Sequence, residues 1–266
     1  MMNHVNSAID TESIPAHHVS SRVPAVAKSA AGLAVHYFRE GELLKIGKSG
    51  EIDPRLVCLL QPTSLLAESY FRLRHTLEQM RNGKRGIVVG VTSPGEGDGK
   101  TFTAINLAGA LAQDASARVL LVDLNLRQSG ADLRSCFDMQ PDADSGVSDW
   151  IGREAPGKGP ASYHLPGLNL HLMPSGTSVE SPYKLLTSAR LDELFEQARR
   201  TYDFIIVDSP QTLRLPDIEL IARVVDGFLV VVRADATPQE KLEEALNLMT
   251  QDKVLGLVFN GVPAQR

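Results

Sequence analysis

The chain has 266 residues, 43% of them hydrophobic, and a formal net charge of −5. That is enough for one sizeable core, although the length exceeds the usual domain size of about 100–200 residues. The acidic balance argues against a general nucleic-acid binder, which is normally basic. Two distant cysteines, Cys58 and Cys136, and scattered histidines, with only His17 and His18 adjacent, offer no metal or redox spacing.

Residues 1–55 mix Ala, Ser, His, Lys and Gly without sustained periodicity, and are expected to form a mostly disordered arm with a short helix near 31–38. The opening MMNHVNSAIDTES has no basic segment followed by an apolar run, so no secretory signal is expected. No aliphatic stretch approaches the roughly 18 residues of a membrane span, and a cytoplasmic location is expected. The stretch QPTSLLAESYFRLRHTLEQM places Leu66, Tyr70, Leu73, Leu77 and Met80 at helical spacing. It predicts a helix over 64–80 with Thr63 or Ser64 as N-cap.

From Gly86 onward, strand-like and helix-like patterns alternate. The aliphatic runs are IVVGV (87–91), VLLVD (119–123), LNLHLM (168–173), FIIVD (204–208), FLVVV (228–232) and VLGLVF (254–259). Continuous apolar strands suit a parallel sheet covered on both faces. Between them, Leu191, Leu194, Phe195 and Ala198 mark the buried face of one helix. In TPQEKLEEALNLM, Thr237 is placed as N-cap, Pro238 as first helical residue and Glu240 as the partner in a capping box. Leu242, Ala245, Leu246 and Met249 are expected to face inward there. The expected architecture is a single α/β domain over 56–266, a doubly wound, mostly parallel sheet flanked by helices.

The first of these strands runs into VTSPGEGDGKTFTAINLA (91–108), a strand–loop–helix context suited to phosphate. The strict pattern G-x-x-x-x-G-K-[ST] fails only at Pro94. Gly95, Gly97 and Gly99 let the backbone approach an anion, Lys100 supplies charge at the β- and γ-phosphates, and the Thr101 hydroxyl is placed for Mg²⁺. Two acids inside an anion cradle, Glu96 and Asp98, are tolerable if backbone amides do the binding and both carboxylates point out to water. A dinucleotide motif fits less well, because the glycines are spaced G-x-G-x-G. Asp123 and Asp208 each end a strand, where ligands bind in open α/β sheets, and both are placed to hold Mg²⁺ directly or through water.

Further motifs follow in order: VLLVDLNLR, GVSDWI (146–151), SPYKLL, YDFIIVDSP, DGFLVVVRADATPQEKLEEAL and GLVFNGV. Together with the loop and its NLA, they resemble the bacterial tyrosine kinases (BY-kinases), in the MinD/ParA-like branch of P-loop proteins. Those are cytoplasmic ATPases that act with polysaccharide co-polymerases in capsule and exopolysaccharide synthesis. The resemblance implies a site for ATP and Mg²⁺ in which Lys100, Asp123 and Asp208 are catalytic and Thr101, Asp123 and Asp208 bind metal. Asp123 would be metal ligand or general base, Asp208 would act on the metal through water, and Asn260 would sit near adenine. Gly95, Glu96, Gly97, Asp98, Gly99, Phe102 and Arg127 complete the expected nucleotide site. The implied partner is a polysaccharide co-polymerase (chain-length regulator) of the inner membrane, recruiting the protein to the cytoplasmic face. Self-association through the helix at 64–80 is also implied, and no nucleic acid.

Several positions depart from the family pattern. The second motif, usually D-x-D-x-R, reads Asp123-Leu124-Asn125-Leu126-Arg127, so one acid is an amide. The self-association motif E-x-x-R-x-x-R has Glu68 and Arg74 but Phe71 at its middle position. The extra lysine of chromosome-partitioning relatives is replaced by Gly95, which argues against a partitioning mechanism. No tyrosine follows Asn260 in the sequence, so the family's tyrosine-rich tail is not expected, which leaves Tyr37 as the expected acceptor, with Tyr70 and Tyr202 packed. The reading is a tyrosine-kinase-like enzyme; its alternative is a non-phosphorylating, ATP-dependent regulatory module of the same machinery.

Overall fold

The computed structural model describes residues 39–43, 52–81, 83, 86–127, 132–139, 146–153, 159–177, 179–213 and 216–262. The helix expected near 31–38 lies outside them. The strands are β1 (Arg39–Leu43), β2 (Ile87–Thr92), β3 (Val119–Asp123), β4 (Ala161–His164), β5 (Leu170–Met173), β6 (Phe204–Asp208), β7 (Gly227–Arg233) and β8 (Val254–Asn260). They form one sheet in the order β1-β4-β5-β3-β6-β2-β7-β8. All pairings are parallel except β4 with β5. The doubly wound, mostly parallel sheet expected from the aliphatic runs is therefore present. Two strands escaped that reading. β1 falls within 1–55, and β4, ASYH, has too little apolar character to stand out.

Alternate residues of each central strand enter opposite cores, as the two-residue repeat of a strand dictates. Val89, Val91, Leu121 and Ile206 join one apolar cluster with Ile105, Leu107 and Leu111 of helix α3 (Lys100–Ala112). Val88, Leu120, Val122, Ile205 and Val207 join the other, with Leu191, Leu194, Phe195 and Ala198 of helix α7 (Ala189–Thr201). The α7 face is the one its spacing predicts. Each large aliphatic side chain so buried is worth about 1.5–3 kcal/mol.

The short helices include α1 (Val57–Leu60), α4 (Leu133–Cys136), α5 (Val147–Ile151) and α6 (Pro182–Leu186); α1 precedes the longer α2 (Leu65–Arg81), which starts and ends one residue later than predicted. Ser64 caps it, accepting from Ala67 N at 3.2 Å. The predicted stripe holds in its middle, where Leu77 is buried and Tyr70 and Leu73 pack beside it, but not at its ends: Leu66 is 61% exposed and Met80 45%, and the buried Ala67 takes the place of Leu66. The small Ala67 lets α2 approach Cys58 and Ala110 closely, and Tyr70 and Phe71 pack at its flanks. Arg74 is engaged within the chain, bonding Glu78 at 2.6 Å and the Ala110 carbonyl of α3 at 3.2 Å. No helix among the described residues is long and apolar enough to cross a membrane.

Candidate nucleotide-binding site

The segment 93–99 joins β2 to α3 and turns through two left-handed glycines, Gly97 (φ 83°) and Gly99 (φ 98°). Gly99 is doubly constrained, because a Cβ there would lie 1.9 Å from Asn260 Nδ2. No side chain caps the first turn of α3, which leaves its first amides available to an anion, as helix N-termini that bind phosphate do. Lys100 opens that helix and is only 8% exposed. The strand ends around the loop are laced together. Thr92 Oγ1 donates to the Pro210 carbonyl at 2.7 Å, and Thr212 N to the Ser93 carbonyl at 2.9 Å.

The two loop acids behave differently. Glu96 is exposed, as expected. Asp98 does not point to water: it is 6% exposed, and its carboxylate folds back into the loop. Oδ2 accepts from Gly95 N at 2.9 Å and Oδ1 from Thr237 Oγ1 at 2.7 Å. Two aimed donors replace hydration, which is what lets a carboxylate be buried. Thr237 accordingly caps no helix. Helix α9 (Gln239–Asn247) starts after Pro238 with no side-chain cap, and the Thr237 hydroxyl serves Asp98 and the Arg233 amide instead. The inward face of α9 is as expected, with Ala245 and Met249 buried and Leu242 and Leu246 packed beside them.

The remaining acids meet beneath the loop. Asp123 and Asp208 are register partners across β3 and β6. Thr101 Oγ1 donates to Asp208 Oδ2 at 2.7 Å, and Asn125 N to Asp123 Oδ1 at 2.9 Å. Asp123 Oδ2 and Asp208 Oδ1 are buried with no hydrogen-bond partner. Burial pushes the Asp208 carboxyl up to about 6, against the opposing pull of Lys100 and the Thr101 hydroxyl. Burial, and then the neighbouring Asp208, hold Asp123 well above the usual carboxylate range. Two orphaned oxygens on adjacent buried acids form a donor set that a hard divalent cation satisfies. Among the described residues, no cluster of three or more His, Cys, Asp or Glu side chains is placed to hold a metal. A cation here would therefore need phosphate oxygens to complete its shell, as Mg²⁺ commonly does.

Three residues expected at the nucleotide also have partners within the chain. Arg127 forks onto Asp217 through Nε at 3.0 Å and Nη2 at 3.2 Å. Asp217 opens helix α8 (Asp217–Ile221), and nothing in LRLPDIEL flags it as a partner. The Phe102 ring lies 3.8 Å beneath the Arg55 guanidinium. Asn260 Nδ2 donates to the Asp98 carbonyl at 2.9 Å. Sequence reading also missed Asn106, whose side chain accepts from Cys58 N and donates to the Arg55 and Phe102 carbonyls. Both cysteines are free and buried, with thiols pushed up to about 12 by burial.

Residues 87–253 match the family model described as an AAA domain. The chain is 31% identical over 198 residues to the tyrosine-protein kinase CpsD of Streptococcus agalactiae serotype III (strain NEM316), covering 73% of this chain and 82% of that one. It is 27% identical over 205 residues to the succinoglycan biosynthesis transport protein ExoP of Rhizobium meliloti (strain 1021), covering 75% of this chain and 25% of ExoP. Among solved structures, the BceF tyrosine kinase domain superposes with a TM-score of 0.67 at 27% identity, over 84% of this chain and 93% of that one.

Proposed function

We propose, on the premise that the chain belongs to the bacterial tyrosine kinase family within the AAA-domain proteins, that it transfers the γ-phosphoryl group of ATP to tyrosine. The observation that carries this is the placement of Lys100 and Thr101 at the start of α3, with Thr101 bonded to Asp208 and orphaned oxygens on Asp208 and its neighbour Asp123. Lys100 and the first-turn amides of α3 would bind phosphate oxygens. Thr101, Asp123 and Asp208 would hold Mg²⁺, which when bound neutralises charge on the phosphates. Asp123 would either stay in that metal's shell or, left off the metal, accept the proton of the tyrosyl hydroxyl. The phenolic oxygen then bonds to the γ-phosphorus as the bond to the bridging oxygen breaks and ADP leaves.

ExoP's name supports a role in exopolysaccharide or capsule production. A membrane polysaccharide co-polymerase is the partner we propose, with recruitment to the inner face of the cytoplasmic membrane. Asn125 favours a second reading. It stands two residues after Asp123 with an amide in place of the charge of the family pattern, and a site so weakened could serve as an ATP-dependent regulatory module.

The deciding experiment incubates the purified chain with labelled ATP and Mg²⁺, with and without the cytoplasmic tail of a co-encoded co-polymerase, using Lys100→Met as control. Label on tyrosine that the control lacks supports the kinase; bound nucleotide without label supports the module. Among the described tyrosines, Tyr183 is 56% exposed, whereas Tyr163 and Tyr202 are buried and Tyr70 is half-buried. Acceptors on the chain itself are expected at Tyr183, or at Tyr37, which lies outside the described residues. Phosphopeptide mapping that finds Tyr202 modified would contradict this.

A further inference from the structure

An acid buried in a loop meant for a triphosphate needs a reason to be there. The Asp98 carboxylate lies near the end of the loop, just before the helix, yet both its oxygens are turned to donors within the chain, Gly95 N and the Thr237 hydroxyl. The Asp98 carbonyl takes a third bond, from Asn260 Nδ2. Thr237 is itself held by the Arg233 amide at 2.9 Å. One loop residue is thus tied to the end of β7, the approach to α9 and the end of β8. The loop so tied contains Gly95, Gly97 and Gly99, and glycine loses more backbone freedom on ordering than any other residue. Without the ties, a nucleotide would have to order the loop as it binds, and its apparent affinity would fall by the fraction of loops in the binding shape.

We propose that Asp98 is a positioning residue, whose carboxylate fixes the phosphate loop in its binding shape before nucleotide arrives by tying Gly95 to Thr237. This rests on the reading of the loop as a nucleotide site. Hydrogen-bond geometry, not charge, is its currency: the carboxylate's charge by itself disfavours a triphosphate, so an effect of the charge and an effect of the tie have opposite signs.

The test compares Asp98→Ala, Asp98→Asn and Thr237→Val in the full chain. The readouts are ATP affinity by calorimetry with Mg²⁺, KM and kcat, and hydrogen exchange of the loop amides without nucleotide. Asp98→Ala is expected to raise Kd and KM by about tenfold or more, as loss of two hydrogen bonds implies, while kcat changes far less. In Asp98→Asn the amide oxygen can accept from Gly95 and the amide nitrogen can donate to Thr237, so affinity stays within about threefold of wild type. Thr237→Val falls between, and the loop of both Asp98→Ala and Thr237→Val exchanges faster. Tighter ATP binding by Asp98→Ala, or Asp98→Asn as weak as Asp98→Ala, overturns the proposal. Unchanged exchange in Thr237→Val, a variant remote from the phosphates in sequence, overturns it too. A wild-type chain that binds no ATP overturns the underlying site reading instead, and the exchange comparison still decides whether the tie exists.

Discussion

Asp208→Asn should stabilise the nucleotide-free protein while it impairs phosphoryl transfer. Asp208 is fully buried, and its carboxyl titrates at about 6 instead of near 3.8, chiefly because burial penalises its charge. The sign follows from linkage: the folded chain binds this proton more tightly than the unfolded chain does. The stability it contributes is complete below about 3.8 and is lost as pH rises through about 6. The loss amounts to 1.36 times the difference between 6 and 3.8, on the order of 3 kcal/mol. About 2 kcal/mol of that accrues between pH 4.5 and 7.5. Asparagine does not titrate, keeps the shape, and can still accept from Thr101. Its removal of a neighbouring charge also relieves Asp123, which moves the result in the same direction. The assay is thermal unfolding of wild type and variant across this range, in chelator and without nucleotide. The melting-temperature advantage of the variant should widen by roughly 4–8 °C from pH 4.5 to 7.5, taking about 2–4 °C per kcal/mol for a domain of this size. Parallel curves, or an advantage that shrinks as pH rises, would refute the claim that a buried charge is being held at a cost.

Three further outcomes are expected. Lys100→Met should fold normally but lose the rise in melting temperature that Mg²⁺–ATP gives the wild type; equal shifts would show the loop lysine to be idle. Asn125→Asp should leave phosphoryl transfer unchanged or raise it, since it restores the charge of the family pattern, and a clear loss of rate would show that the site has diverged. Gly99→Ala should abolish nucleotide binding and cost at least about 1 kcal/mol of stability, read in denaturant, because alanine is strained at φ 98° and meets Asn260. Wild-type affinity in that variant would remove the case for the tight turn.

What could be read from the sequence was what short-range pattern encodes. β3 and β6 have the limits their aliphatic runs suggest, and α7 buries the face its spacing marks, because burial on a sheet or helix repeats with a fixed period. β4 was illegible, since Ala161, Ser162, Tyr163 and His164 carry no such period and their burial comes from neighbours in the fold. The ends of the α2 stripe were misjudged for the same reason: Leu66 and Leu77 look alike in sequence, yet the small Ala67 is what packs on Cys58 and Ala110 at the start of the helix. At the site, the anion loop and the paired acids could be read as types at strand ends. Asp98, Thr237 and Arg127 could not, because their partners lie 139 and 90 residues away along the chain, and a threonine before a proline reads most simply as a cap.

Asn106 bears on how this sequence can change. It is buried in α3, and its amide oxygen accepts from Cys58 N while its amide nitrogen serves the Arg55 and Phe102 carbonyls. One acceptor and two donors on so short a stem are what asparagine alone supplies: aspartate has no donor, and glutamine is a methylene too long for the space. Leu107 and Ala108, beside it, are held by shape and can trade volume with their neighbours. In a drifting lineage the middle of this helix would therefore change at its apolar positions while position 106 stayed fixed, released only by simultaneous remodelling of the strand of backbone at 55–58.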